Sequence, residues 1–279
     1  MTCFCVSLTL AASAAASDYV ILVGGLGGEP KYSDEFAKAV TATRASLIKG
    51  GYGADHIRTL LEKAGPLSSG GGAEAAQSTL TNIRSEFERL RTEVSEADTL
   101  LLILVGHGQS DYQEPRFNLP GSDLTGHGLV ELLSAIPCKD QRLILLFSCS
   151  GHFSEILSSP TRTIIASTDG PRQVYHTVTL PYFLKALDNN GADFNGDNKI
   201  SSLEMLDYLS EQVKEHFAAA GNLQIEMPSL DDNGDGKITA RADGLDAGDG
   251  ERAGVTILLP APGRASTAGQ TPKEETGKK

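Results

Sequence analysis

Three features of this 279-residue sequence predict an α/β fold, a mostly parallel sheet with helices on both faces. Short aliphatic runs alternate with amphipathic helical segments along most of the chain. Two of those runs, residues 99–105 and 142–147, are almost wholly apolar, as strands buried on both faces are. Glycine and polar residues gather where these runs stop, and in such sheets that edge is where ligands and chemistry sit.

The elements follow in order. Tyr19-Val-Ile-Leu-Val23 reads as a first strand, ended by the turn Gly24–Gly28. Phe36, Val40 and Leu47 share one helical face, and Gly50-Gly51 stops that helix. Residues 57–61 form a weaker strand candidate, and residues 68–72 a Gly-rich break. Leu80, Ile83, Phe87, Leu90 and Val94 make an amphipathic stripe. After the 99–105 strand come a Gly/Pro/Asp-rich loop and a helix near 129–136. The 142–147 strand precedes a short helix near 153–157. A strand over 162–167 and a helix from Leu180 to Leu187 follow.

Charge and composition narrow the function. A net charge of −12 with no Lys/Arg cluster argues against a nucleic-acid partner. No apolar run is long enough to span a membrane. Residues 1–17 are uncharged, and Ala14 and Ala16 form an A-x-A pattern before Ser17-Asp18, which predicts a signal peptide over 1–16 and an exported protein, periplasmic or secreted. Cys3 and Cys5 would leave with that leader. The remaining pair, Cys138 and Cys149, flank one strand about 20 Å long, too far apart for a disulfide.

Two phosphate-binding patterns fail. Pro30 stands where G-x-G-x-x-G needs glycine, and the Walker pattern lacks its Gly-Lys-Ser/Thr. Gly24–Gly28 therefore reads as a tight turn or a close backbone approach. The elbow G-x-S-x-G fails as well, because Ser148 and His152 flank Ser150 at the glycine positions.

One constellation survives. The 99–105 strand runs into Gly106-His107-Gly108, and the 142–147 strand into Ser148-Cys149-Ser150-Gly151. Neighbouring strands lie about 4.8 Å apart, so an imidazole and a thiol would meet above the sheet as a nucleophilic dyad. The amides of Gly108 and Cys149 would face a developing oxyanion. The other histidines have plainer readings. His127 belongs to a helix start, His152 lies on the turn into a helix, and His56, His176 and His216 are isolated.

These strand ends resemble the caspase-like superfamily of cysteine peptidases, of caspase and legumain type, over residues 19–185. The Gly24–Gly28 turn, Phe117–Asp123 and the later Asp-rich segment are similar to bacterial legumain-like proteins. The resemblance implies a thiol endopeptidase acting on a peptide or protein, with His107 as base and Cys149 as nucleophile. Caspase spacing, two residues before Gly151, selects Cys149. Legumain spacing, three before, selects Ser148, which would make the chain a serine variant or an inert pseudopeptidase. In that family the loop after the next strand reads the substrate, which points to Asp169 and Arg172 in Ser167-Thr-Asp-Gly-Pro-Arg172.

A metal motif follows. Asp193, Asn195, Asp197, Ser201 and Glu204 fall at positions 1, 3, 5, 9 and 12 of a 12-residue loop, with the Lys199 carbonyl at position 7. This resembles an EF-hand Ca²⁺ loop, except that Asn198 replaces the usual glycine at position 6, a substitution that tolerates positive φ. A second copy has Asp231, Asn233, Asp235, Gly236 and Lys237, but Ala242 stands at position 12 and Asp243 comes one residue late. Two facing hands would share a small core through Ile200 and Ile238. The expected layout is therefore a leader (1–16), a caspase-like α/β domain (18–187), a small α-helical EF-hand-like calcium segment (188–245), and a largely disordered tail (246–279). Two functions remain open, a calcium-binding cysteine endopeptidase or a calcium-binding scaffold without catalysis.

Overall fold

The computed structural model describes residues 16–67, 73–189, 191–241 and 248–259. The expected leader (apart from its last residue), the 68–72 break, Asp243 and the chain from Pro260 lie outside the described residues. The first elements are β1 (Asp18–Gly24), α1 (Pro30–Lys49), β2 (Ile57–Leu61), β3 (Gly65–Pro66), β4 (Glu74–Gln77) and α2 (Leu80–Glu93). Next come β5 (Thr99–Val105), β6 (Gly108–Ser110), β7 (Pro115–Phe117), β8 (Leu124–Thr125), α3 (Gly126–Ser134) and β9 (Asp140–Leu146). Then follow α4 (Ser150–Leu157), β10 (Arg162–Ala166), α5 (Thr179–Asn189), β11 (Ile200–Ser201) and α6 (Ser202–Ala219). The last are β12 (Ser229–Asp231), β13 (Thr239–Ala240), α7 (Glu251–Val255) and β14 (Ile257–Leu259).

The architecture is α/β, as the alternation predicts. One sheet has the order β13-β12-β10-β9-β5-β1-β2-β4-β3, parallel from β10 to β4 and antiparallel at both margins. Side-chain alternation divides each central strand between two cores. Val20, Leu22, Leu101, Ile103, Val105, Ile144 and Leu146 pack with α1, α5 and α6. Ile21, Val23, Leu100, Leu102, Leu104, Leu143, Leu145 and Phe147 pack with α2, α3 and α4. Local chemistry sets the helix ends: Pro30 opens α1, Gly50 closes it, and the Thr79 hydroxyl accepts the Asn82 N–H at the start of α2.

The structure departs from expectation in three places. The loop after β5 is a small antiparallel sheet, β6-β7-β8, folded over the strand ends. Its Phe117 fills the space that side chains at Gly25 and Gly106 would need: a Cβ on either would lie 2.8 Å from the Phe117 ring. The first glycine turn is thus a close approach of backbone to a partner loop. The segment after residue 188 is no separate module. Ile200, Met205, Leu206, Leu209 and Leu230 belong to the α1-side core, and β12 pairs with β10. The two Asp-rich loops do not face each other, because β11 pairs with β14 and β13 with β12. Finally, part of the expected tail is ordered. The Tyr52 hydroxyl donates to the Leu258 carbonyl at 2.7 Å, and Arg142 bonds the Ile257 carbonyl, so β14 is docked beneath the sheet.

Candidate active site

Strand register sets the site. β5 and β9 pair as Leu101↔Arg142, Ile103↔Ile144 and Val105↔Leu146. Carried two residues on, that register sets His107 opposite Ser148. Both continue the side-chain set that faces α1, whereas Cys149 continues the set that faces α4. The chain also turns at Cys149, which has φ 61° in the left-handed region and caps α4.

His107 sits in an aromatic nest. Its ring meets Tyr32 and Phe36 of α1 edge-on, both at 5.0 Å between centroids, and His176 at 5.6 Å. Burial and the nearby His176 push the imidazole below its ordinary range, while Glu35 and a hydrogen bond to the Gly27 backbone act the other way. His176 in turn pairs with Glu35 at 3.3 Å.

The Ser148 hydroxyl is buried. It donates to the Gly108 carbonyl at 2.8 Å and accepts the Gly108 N–H at 3.2 Å. Little else fits there: a Cβ on Gly108 would lie 2.4 Å from the Ser148 carbonyl oxygen. The Cys149 thiol points elsewhere. It donates to the carbonyls of Pro171, at 3.3 Å, and Gln173, at 3.7 Å. Burial alone pushes it up to about 11. Among the described residues, the thiol's hydrogen bonds go to these two carbonyls and none joins it to the His107 ring. The two oxyanion amides are engaged as well, Gly108 N–H with Ser148 and Cys149 N–H with the Gln173 carbonyl at 2.9 Å.

Both cysteines are free, as the strand length requires. Cys138 is also held up at about 11, by burial first. At neutral pH such a thiol is almost wholly protonated. Iodoacetamide should therefore label Cys138 and Cys149 equally slowly, each faster only as pH rises toward 11. Peptide mass spectrometry checks this, and rapid labelling of Cys149 at neutral pH would contradict the geometry.

Asp169 and Arg172, the residues expected to read a substrate, lie on the turn after β10. Asp169 is tied to the Gln173 side chain within that turn, and Arg172 is exposed. Gln173 itself was invisible in the sequence. Its side chain also accepts the Met227 N–H at 3.3 Å, so it fastens the turn over Cys149. Glu226 holds the same turn from the other side, accepting the N–H groups of Val178 at 2.6 Å and Thr179 at 3.0 Å. Glu35, Tyr32 and Gln173 reach the site only through tertiary contact, and no spacing signal marks them.

The remaining histidines behave as structural groups. His127 is in the first turn of α3 and pairs with Glu114 at 2.6 Å. His152 Nδ1 shares a proton with the Ser110 hydroxyl at 2.8 Å. His56 stacks on Tyr19, and His216 bonds the Tyr182 hydroxyl.

The first Asp-rich loop is wound as the motif predicts. Gly196 and Asn198 take positive φ, 74° and 62°. Asp193 Oδ1 accepts from Gly196 and Asp197, and Oδ2 from Asn198. Asn195 and Asp197 cap Asp197 and Lys199 in the same manner. Glu204 reaches back from α6 to the Asn195 N–H at 3.2 Å and forms a capping box with Ser201. Among the described residues, no three His, Cys, Asp or Glu side chains converge as a preformed metal cage. The all-oxygen donor set and the wound backbone fit a Ca²⁺ ion, and Glu204 would have to close onto it.

Fold and strand ends thus define an α/β protein with a mostly parallel sheet and a polar constellation at the carboxyl ends of two central strands. No protein-family model matches the chain, and no curated protein matches it. Protein GSU0716 from Geobacter sulfurreducens, a structural genomics target, has a similar fold, with a TM-score of 0.50 and 10% identity over 77% of this chain and 93% of that one. At that identity the likeness concerns the fold alone. No helix among the described residues is long and apolar enough to cross a membrane.

Proposed function

We propose that this chain is an exported, calcium-binding, caspase-like protein that does not turn over peptides and acts as an interaction scaffold for a peptide or protein partner. One observation carries the reading. The hydroxyl opposite His107 and the thiol beside it each give their proton to a backbone carbonyl, not to the imidazole. A nucleophile needs a base within hydrogen-bond reach. The chain should leave a caspase- and legumain-type peptide library uncut. Turnover that depends on Cys149 would restore the cysteine-peptidase reading.

A second reading, a serine hydrolase using Ser148, draws on the Gly108 N–H beside its oxygen. A fluorophosphonate probe separates the two. Scaffold protein stays unlabelled, whereas labelling at Ser148 that disappears in His107→Ala supports the hydrolase.

Asp193, Asn195, Asp197, the Lys199 carbonyl and Glu204 would hold the calcium ion, which supplies structural charge at the turn between α5 and α6. Glu204→Gln keeps the capping geometry but removes the charge. In this variant, the first loop should contribute nothing to the Ca²⁺-induced rise in melting temperature seen by calorimetry. An undiminished rise would overturn the ligand assignment.

A further inference from the structure

The second Asp-rich loop lacks its twelfth-position acid, yet it holds the stronger sign of an ion. Asp231, its first residue, ends β12 and is fully buried. Its Oδ1 accepts the Gly234 N–H at 3.1 Å, which turns the carboxylate into the loop, and its Oδ2 has no hydrogen-bond partner. Two neighbouring buried acids are matched. Asp232 accepts from Gly250 and Ala253, and Asp249 accepts from the Thr239 hydroxyl and the Asp232 N–H. In the first loop both oxygens of Asp193 have donors. Asp231 alone among these residues presents a buried, unmatched carboxylate oxygen, a costly arrangement without a counter-charge.

The surroundings supply more oxygen. Asn233 Oδ1 accepts from Asp235, and Asp235 Oδ1 from Lys237, so both side chains curl inward as in the first loop. The Lys237 ammonium stands 3.8 Å from Asp235 in an exposed, weak pair. The loop is also seated on the end of α4. Gly236 N–H donates to the Ser158 hydroxyl at 2.9 Å, and that hydroxyl lies close enough to the Asp231 carboxylate to offset part of the cost of its burial. A Cβ at Gly234 would lie 2.4 Å from Pro160 N. β12 continues the connection to the other end of α4: Ser229 donates to the Thr168 carbonyl at 2.7 Å, and the Thr168 hydroxyl accepts the Gly151 N–H at 2.9 Å.

We propose that Asp231, Asn233, Asp235 and the Lys237 carbonyl hold a second Ca²⁺, braced by Ser158, with water in place of the missing acid. This ion fastens the last turn of α4 to the margin of the sheet. The inference takes its choice of ion from the calcium reading above, and its site is independent of the first loop and of any catalysis.

Isothermal titration of the full chain with CaCl₂ tests it. Wild type should bind two equivalents, Glu204→Gln one, Asp231→Asn one, and the double variant none. In Ca²⁺, amides of Ser158, Ser159 and residues 234–237 should exchange slowly in wild type and Glu204→Gln but lose that protection in Asp231→Asn. In chelator, Asp231→Asn should melt no lower than wild type, because it removes a buried charge that only the Gly234 N–H and the Ser158 hydroxyl offset, and the amide oxygen can still accept from Gly234. Glu204→Gln binding no ion would overturn the second site while leaving the first intact. Loss of binding in Asp231→Asn together with a lower melting point in chelator would overturn it too, because the carboxylate would then be structural. If Asp231→Asn binds none and Glu204→Gln still binds one, the first-loop assignment fails and the second stands.

Discussion

Ser148→Cys should gain a fast-labelling thiol that the wild-type protein lacks. Residue 148 shares His107's face of the sheet by strand alternation, and it stands opposite His107 by register. Burial and His176 hold the imidazole below its ordinary range, which favours the neutral, proton-accepting ring. The wild-type hydroxyl is held by the Gly108 carbonyl, but a thiol is a much weaker donor; released from that bond, it should meet the ring and react with iodoacetamide at least about tenfold faster than Cys149. The advantage should fade as pH falls through the lowered imidazole range, where the ring gains a proton and stops acting as a base. It should also vanish in Ser148→Cys/His107→Ala. If the new thiol labels as slowly as Cys138, residue 148 does not face the base and the register argument fails.

Phe147→Ala should be the most damaging single truncation near the site. Phe147 is fully buried and lies between Phe117, at 4.9 Å, and Phe153, at 5.1 Å between ring centroids. These rings join β9 to the small sheet on one side and to α4 on the other. Removing the middle ring opens a cavity that the flanking backbone cannot fill, at a cost of about 3–5 kcal/mol. Urea unfolding should show a lower midpoint at unchanged m-value. A loss below about 1 kcal/mol would mean that Phe117 and Phe153 collapse into the space.

The sheet was legible because its strands are aliphatic without interruption. Thr99–Val105 coincides with its expected bounds, and Arg142–Phe147 is shifted only slightly along the chain. Such runs bury on both faces whatever surrounds them. The positions of His107, Ser148 and Cys149 at the strand tips were legible for the same reason. Which of the two candidates faces the histidine was not, since it depends on inter-strand register, and a shift of one residue exchanges the faces. The β6-β7-β8 flap was hidden by its short, polar strands. The place of β12 was hidden because Ser229–Asp231 reads as part of an Asp-rich loop until it pairs with β10. Gln173 and Glu226 act through isolated long-range hydrogen bonds, which leave no periodicity.

The β12–β13 hairpin has a bearing on assembly. Without it, β10 would offer a row of free backbone N–H and C=O groups to any passing strand, a template for aggregation or for joining sheets between molecules. With the antiparallel hairpin laid along that flank, such backbone zippering is closed to β10. A second molecule approaching from that side meets the two-residue edge of β13 instead, which offers little backbone to pair with.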